Sequence, residues 1–198
     1  MSIRRKSWRD NLAAGAREKL EDKQVRSRLL LLFEIAVTLI FAALVAITFF
    51  QSVTMQESSM EPTISVGERF FMNRLVYRVM DPKRGDIIVF KTNGSDDAAL
   101  HIRRIVGIPG DTVQIVDGRV LVNGGTLKEK GDFPSISNPG LAASPVTLQS
   151  GEYFVLGDNR NNSEDSRYGD IGTVNKKYIV GKLWFQIGPM TKMGFMGS

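Results

Sequence analysis

From Leu29 to Phe50 the chain is apolar almost without interruption, and Glu34 is the single charged residue in that run. As a helix rising about 1.5 Å per residue, it would span roughly 33 Å, enough for the hydrocarbon core of a bilayer. No polar face repeats along it, as a helix half-buried in a water-soluble core would require. Thr38 and Thr48 are compatible with lipid, because a helix can bond their hydroxyls to its own backbone. The basic stretch before the run is longer, and the run itself more extended, than in a cleaved signal peptide. Residues 29–50 therefore read as an uncleaved transmembrane signal anchor.

Charge distribution sets the expected orientation. Residues 1–28 carry nine Lys and Arg against four Asp and Glu, which accounts for the whole net charge of +5. The other 170 residues hold 17 basic and 17 acidic side chains and are neutral. A basic arm of this kind can bind nucleic acid. Next to a membrane span the better explanation is retention of Lys and Arg on the cytoplasmic side, with contact to anionic lipid. The expected organisation is a basic cytoplasmic tail over 1–28, the anchor over 29–50, and an extracytoplasmic domain over 51–198. The chain has no cysteine and one histidine, His101. That excludes disulfides, thiolate zinc sites and multi-histidine metal centres. No metal, cofactor or nucleic acid is called for.

Beyond Phe50 the pattern changes to short β-rich runs bounded by turn residues. Strands are expected over Asp86–Lys91, Ile102–Ile108, Thr112–Val116, Arg119–Val122, Tyr153–Leu156 and Tyr178–Ile187. Asp117-Gly118 lies between two of them and reads as a two-residue hairpin turn. Gly124–Ser150, rich in Gly, Pro, Ser and Asn, reads as a long surface loop or extended excursion. No long amphipathic helix is evident. The expected class is mostly β, a mixed or antiparallel β domain following one N-terminal transmembrane helix.

Three polar clusters interrupt this pattern: Ser58-Ser59-Met60-Glu61-Pro62-Thr63, His101 through Asp111, and Gly157 through Tyr168. Each has a plain structural reading. The first is a loop with a turn-setting proline, the second a strand ending in Ile-Pro-Gly-Asp, and the third a turn whose side chains bond their own backbone. Their order and spacing together resemble the type I signal peptidases of the S26 family. That family places a nucleophilic serine in a Ser-Met-x-Pro-Thr box beyond the anchor. It places a lysine base in a Lys-Arg-x-x-Gly-x-Pro-Gly-Asp box and a supporting Gly-Asp-Asn-x-x-x-Ser-x-Asp-Ser-Arg box. Arg84 through Phe90 is similar to the family's strand between the first two boxes, and the resemblance runs from the anchor to about Trp184.

The resemblance implies a signal-peptidase-like β fold with Ser59 as nucleophile. Ser163 and Asp165 fall where the family orients its base, and Arg167 falls on the arginine that pairs with that aspartate. Met60, Ile64 and Ile102 fall near positions lining the pocket for small substrate side chains; a core role suits them equally. Two positions depart from the pattern. Arg103 stands at the lysine position, and arginine does not give up its proton in a protein, so it cannot act as a base. His101, two residues earlier, shares a strand face with Arg103 and is the candidate substitute base. A half-exposed strand residue without a catalytic role is the reading slightly ahead for it. The second departure is Glu57, where some family members carry a serine that donates to the oxyanion. A carboxylate there opposes developing negative charge unless it turns away or pairs with Arg103.

The implied activity is a membrane-anchored serine endopeptidase of the plasma (inner) membrane. It would remove signal peptides from exported preproteins after a small residue, with no metal or cofactor. The alternative is an inactive homologue that binds extended peptide in the cleft as an assembly or regulatory factor. A self-cleaving transcriptional regulator is disfavoured, because an anchor stands where a DNA-binding helix pair would be needed.

Overall fold

The computed structural model describes residues 23–92 and 98–196, so the tail through Asp22 lies outside the described residues. The chain divides into two units, at Thr48 and Phe49, which are taken in turn.

The first unit contains helix α1, Lys23–Phe49. No Gly or Pro interrupts it, and its Leu, Ala, Lys, Arg and Gln content favours helix. It begins six residues earlier than the apolar run and stops one residue short of Phe50. Its span from Gln24 to Ala46 has a mean hydropathy of 2.7 and buries none of its side chains. Leu29, Phe33, Leu39 and Phe41 are all exposed. An apolar surface around the whole circumference suits a lipid solvent rather than water. Thr38 donates its hydroxyl to the Glu34 carbonyl at 2.8 Å, which removes the cost of placing that group in an apolar medium.

The second unit is antiparallel β. Its strands are β1 (Phe50–Thr54), β2 (Arg69–Asn73), β3 (Ile87–Lys91), β4 (Leu100–Gly107), β5 (Thr112–Val116) and β6 (Arg119–Val122). They continue as β7 (Gly125–Thr126), β8 (Val146–Thr147), β9 (Glu152–Leu156), β10 (Val174–Asn175), β11 (Ile179–Gly188) and β12 (Gly194–Phe195). Among the described residues, the larger sheet runs β1-β2-β11-β3-β4-β9-β10, with β12 against β11. The smaller runs β7-β6-β5-β8. One helical turn, α2 (Val76–Val79), is the sole α-helical element of this unit among those residues.

Strand β3 shows why the larger sheet closes around this sequence. Ile87, Ile88, Val89 and Phe90 are all buried. Because successive side chains alternate faces, Ile87 and Val89 enter one cluster with Met60, Ile64, Phe70, Met72 and Ile102. Ile88 and Phe90 enter another with Tyr77, Ile105, Tyr153 and Val155. A strand buried on both faces reads as a continuous apolar run. The smaller sheet packs Val113, Ile115 and Val120 with Phe154 and Leu156 of β9. Ile136, Ala142 and Leu148 join that cluster, so the stretch Gly124–Ser150 is partly built into the core rather than lying wholly on the surface. The turn at Asp117-Gly118 has φ of 48° and 73°, the left-handed pair that a two-residue hairpin needs.

Candidate active site

A single turn of 3-10 helix, Ser58–Met60, follows β1 and leaves Ser59 buried. Asn159 of the loop after β9 fixes this turn: its N–H donates to the Ser59 carbonyl at 2.9 Å, and its side-chain amide to the Ser58 carbonyl at 3.1 Å. Asn162 donates to the Ser58 hydroxyl at 3.0 Å, so Ser58 and Ser59 have different environments. Gly157 is where these loops meet. A Cβ there would collide with the Ser163 side chain and with the Ser59 carbonyl. Only glycine lets backbone approach that closely.

Arg103 lies in the middle of β4, paired across the sheet with Ile88 and 1% exposed. Its guanidinium holds the site together. Nη1 donates to Ser59 Oγ at 2.7 Å and to the Ile102 carbonyl at 2.8 Å. Nη2 donates to Glu57 Oε2 at 3.0 Å, and Nε to the Glu164 carbonyl at 2.7 Å. Ser59 Oγ in turn donates to Glu57 Oε2 at 3.3 Å. Ser59, Glu57 and Arg103 therefore form a closed triangle of hydrogen bonds around the serine hydroxyl. Glu57 is turned toward Arg103, the arrangement in which its carboxylate is compensated.

His101 shares the β4 face with Arg103, as the strand period requires. Its ring stacks on Phe90 with centroids 5.6 Å apart. Its Nδ1 lies 3.8 Å from Glu57 Oε1 and is buried without a hydrogen-bond partner. Burial lowers the His101 pKa, and the Arg103 charge lowers it further, against weaker opposing pulls from Glu57 and Glu164. The imidazole is therefore neutral at pH 7. Its nearby carboxylate is Glu57, and no bond joins it to Ser59.

The third cluster forms a scaffold beside this triangle. Asp165 and Arg167 make a two-pronged ion pair at 2.8 and 2.9 Å, both almost fully buried. Asp165 also accepts from the Gly157 N–H at 3.1 Å. Its carboxylate is thus committed to Arg167 and Gly157, and the arginine it pairs with is Arg167 rather than Arg103. The Ser163 hydroxyl is buried and has no hydrogen-bond partner. Arg104, next to Arg103 but on the opposite face of β4, forks onto buried Asp158 at 2.8 and 2.6 Å. Met60, Ile64 and Ile102 are packed together inside one core cluster, and none lines the cavity beside Tyr77 and Asp86 or the one beside Val120 and Arg160.

The sequence reading brings Ser59, His101 and Arg103 to one place, with Ser163, Asp165 and Arg167 alongside. It treats Glu57 only as a departure that turns away or pairs with Arg103; here Glu57 contacts all three polar members of the central group. Its spacing two residues before Ser59 was the available signal.

Comparison with known proteins gives the family. Residues 28–187 match the family model described as signal peptidase, peptidase S26. A signal peptidase I P from Bacillus subtilis subsp. natto is 39% identical over 74% of this chain and 82% of its own length. A signal peptidase I T from Bacillus subtilis is 35% identical over 80% of this chain and 84% of its own. A probable signal peptidase I-2 from Synechocystis is 38% identical over 70% of this chain, which spans 63% of that relative's length. The motifs, their convergence around one buried serine and these matches together place the chain in the signal peptidase, peptidase S26, family, the serine-endopeptidase class its boxes resemble.

Proposed function

We propose that this chain is a membrane-anchored serine endopeptidase that removes N-terminal signal peptides from exported preproteins, with Ser59 as nucleophile. The observation that carries the reading is the environment of Ser59 Oγ. It is buried, fixed by a 2.7 Å bond from the Arg103 guanidinium, and next to a carboxylate that accepts its proton. A cation donating to Oγ stabilises the negative charge that develops there as the hydroxyl is deprotonated. In this reading Ser59 attacks the scissile carbonyl, the mature protein leaves as the amine, and water releases the signal peptide from the acyl-enzyme. The apolar helix holds enzyme and preprotein on one membrane surface, with the basic tail cytoplasmic and the β domain outside.

The ion pair of Asp165 with Arg167 supports the site from behind, and Ser163 lies beside the Ser59 turn. One observation favours the second reading, a peptide-binding homologue without turnover: the lysine position holds a group with no lone pair to offer. Incubating the full chain in lipid vesicles with a signal-bearing preprotein separates the two. The peptidase reading predicts a mature product with a single new N-terminus, and a rate about 10⁴-fold or more lower in Ser59→Ala. Absence of product from the folded wild type, with the preprotein still bound, supports the second reading.

A further inference from the structure

We propose that Glu57 is the proton acceptor for Ser59, taking the place of the amine that Arg103 cannot supply; this rests on the peptidase reading above. A guanidinium only donates, so Ser59 Oγ must accept from Arg103 Nη1, and its own proton is directed elsewhere. The acceptor present is Glu57 Oε2, 3.3 Å away. A carboxylate has the lone pair that a guanidinium lacks, and a catalytic hydrogen bond that is long in the free enzyme commonly tightens when substrate is bound.

Arg103 also fixes the acceptor. The fork that holds Oγ through Nη1 holds Glu57 Oε2 through Nη2, so one rigid planar group sets the serine–carboxylate geometry. With lysine there, a single ammonium would do neither job in this way. The charged and titratable groups against Glu57 are Arg103 and His101 on β4, and Glu164 in the loop after β9 acts on His101. Neutral His101 adds no second cation beside the carboxylate. The Glu57 side chain is 44% exposed, so it remains open to water and to an incoming peptide.

The chemistry balances with water as the only co-reactant. As Ser59 Oγ bonds to the scissile carbonyl carbon, its O–H bond breaks and the proton passes to Glu57 Oε2. The carbonyl π pair moves onto oxygen. Collapse breaks the C–N bond, and Glu57 returns the proton to the leaving nitrogen. In deacylation, water gives its proton to Glu57 as its oxygen bonds to the acyl carbon. The Oγ–C bond then breaks, and Ser59 takes the proton back.

The test is steady-state cleavage of a preprotein by the full chain in vesicles. Variants are Glu57→Gln, Glu57→Asp, Arg103→Lys and the Arg103→Lys/Glu57→Gln double, with folding checked by circular dichroism. Expected are a kcat about 10²–10⁴-fold lower in Glu57→Gln at unchanged KM, and partial retention in Glu57→Asp. Lysine at 103 supplies its own base, so adding Glu57→Gln to Arg103→Lys should cost less than about threefold. A folded Glu57→Gln with near-wild-type kcat overturns the proposal while leaving Ser59-dependent cleavage standing. An equal loss from Glu57→Gln in both backgrounds also overturns it, showing a positioning role. A folded wild type that does not cleave removes both readings at once.

Discussion

At position 103 a buried guanidinium does what a neutral amine cannot, and fails to do what a neutral amine can. It donates to four groups at once, Ser59, Glu57 and the Ile102 and Glu164 carbonyls, but has no lone pair to accept a proton. The neighbouring imidazole carries a separate consequence. His101 is held below its ordinary pKa by burial and by Arg103. In the unfolded chain it protonates near pH 6.5, while in the folded chain it stays neutral to lower pH. The unfolded state then binds more protons, so this residue's contribution to stability is present above about pH 6.5 and is lost as pH falls toward the folded pKa. Thermal midpoints measured from pH 7.5 to 5.5 should drop more for wild type than for His101→Gln. An identical pH dependence in the two would contradict the assignment. The buried pair of Asp165 and Arg167 sets a second residue-scale expectation. Asp165→Ala leaves a charged guanidinium without its partner and should lower stability by about 3–5 kcal/mol in urea unfolding. Of these residues, the sequence makes Ser59, Arg103, His101 and Asp165 legible through motif spacing. The pairing of Glu57 with Arg103 was one of two options open in the sequence; which of them forms, and the bond from Ser59, depend on how the chain turns between β1 and Ser59.

Among the elements, those whose sequence carries its own punctuation were readable. β5 and β6 fall at Thr112–Val116 and Arg119–Val122 as expected, because the Asp-Gly turn fixes their register. β3, β4, β9 and β11 match their expected runs to within a residue or two. β1 was hidden because Phe50 continues the apolar run of the helix before it. β2, Arg69–Asn73, carries two adjacent phenylalanines rather than a clean alternation, and is a strand through its pairing with β1 and β11. β7, β8, β10 and β12 are two residues each and exist only by tertiary pairing. The junction of β9 with the Ser59 turn is the element on which the site depends most. Gly157→Ala places a methyl group against the Ser59 carbonyl and the Ser163 side chain, and should cost about 1–3 kcal/mol. Cleavage activity should fall with it, because the turn carrying Ser59 is displaced. A Gly157→Ala protein with wild-type stability and kcat would show that the loops can separate without affecting the site.

For the whole molecule, charge and hydropathy divide the labour. The positive charge resides mainly in the first 28 residues, the lipid-compatible surface in α1, and the candidate site in a β domain with 17 basic and 16 acidic side chains over residues 51–198. The proposed division into tail, anchor and outer domain has a direct physical consequence. The full chain should stay with vesicles through alkaline carbonate washing, whereas deletion of residues 24–46 should release the β domain into solution. Retention of the deletion variant would mean that another surface holds the protein to lipid. Cleavage by a signal-peptidase scaffold with arginine at the lysine position rests on covalent chemistry at one oxygen. Its most direct test is acid-quenched single turnover of a preprotein by the wild-type chain, followed by peptide mapping. The signal peptide should be found esterified through its C-terminal carbonyl to Ser59, formed as mature protein is released and absent from Ser59→Ala. Release of mature protein without that ester, or its persistence in Ser59→Ala, would contradict it.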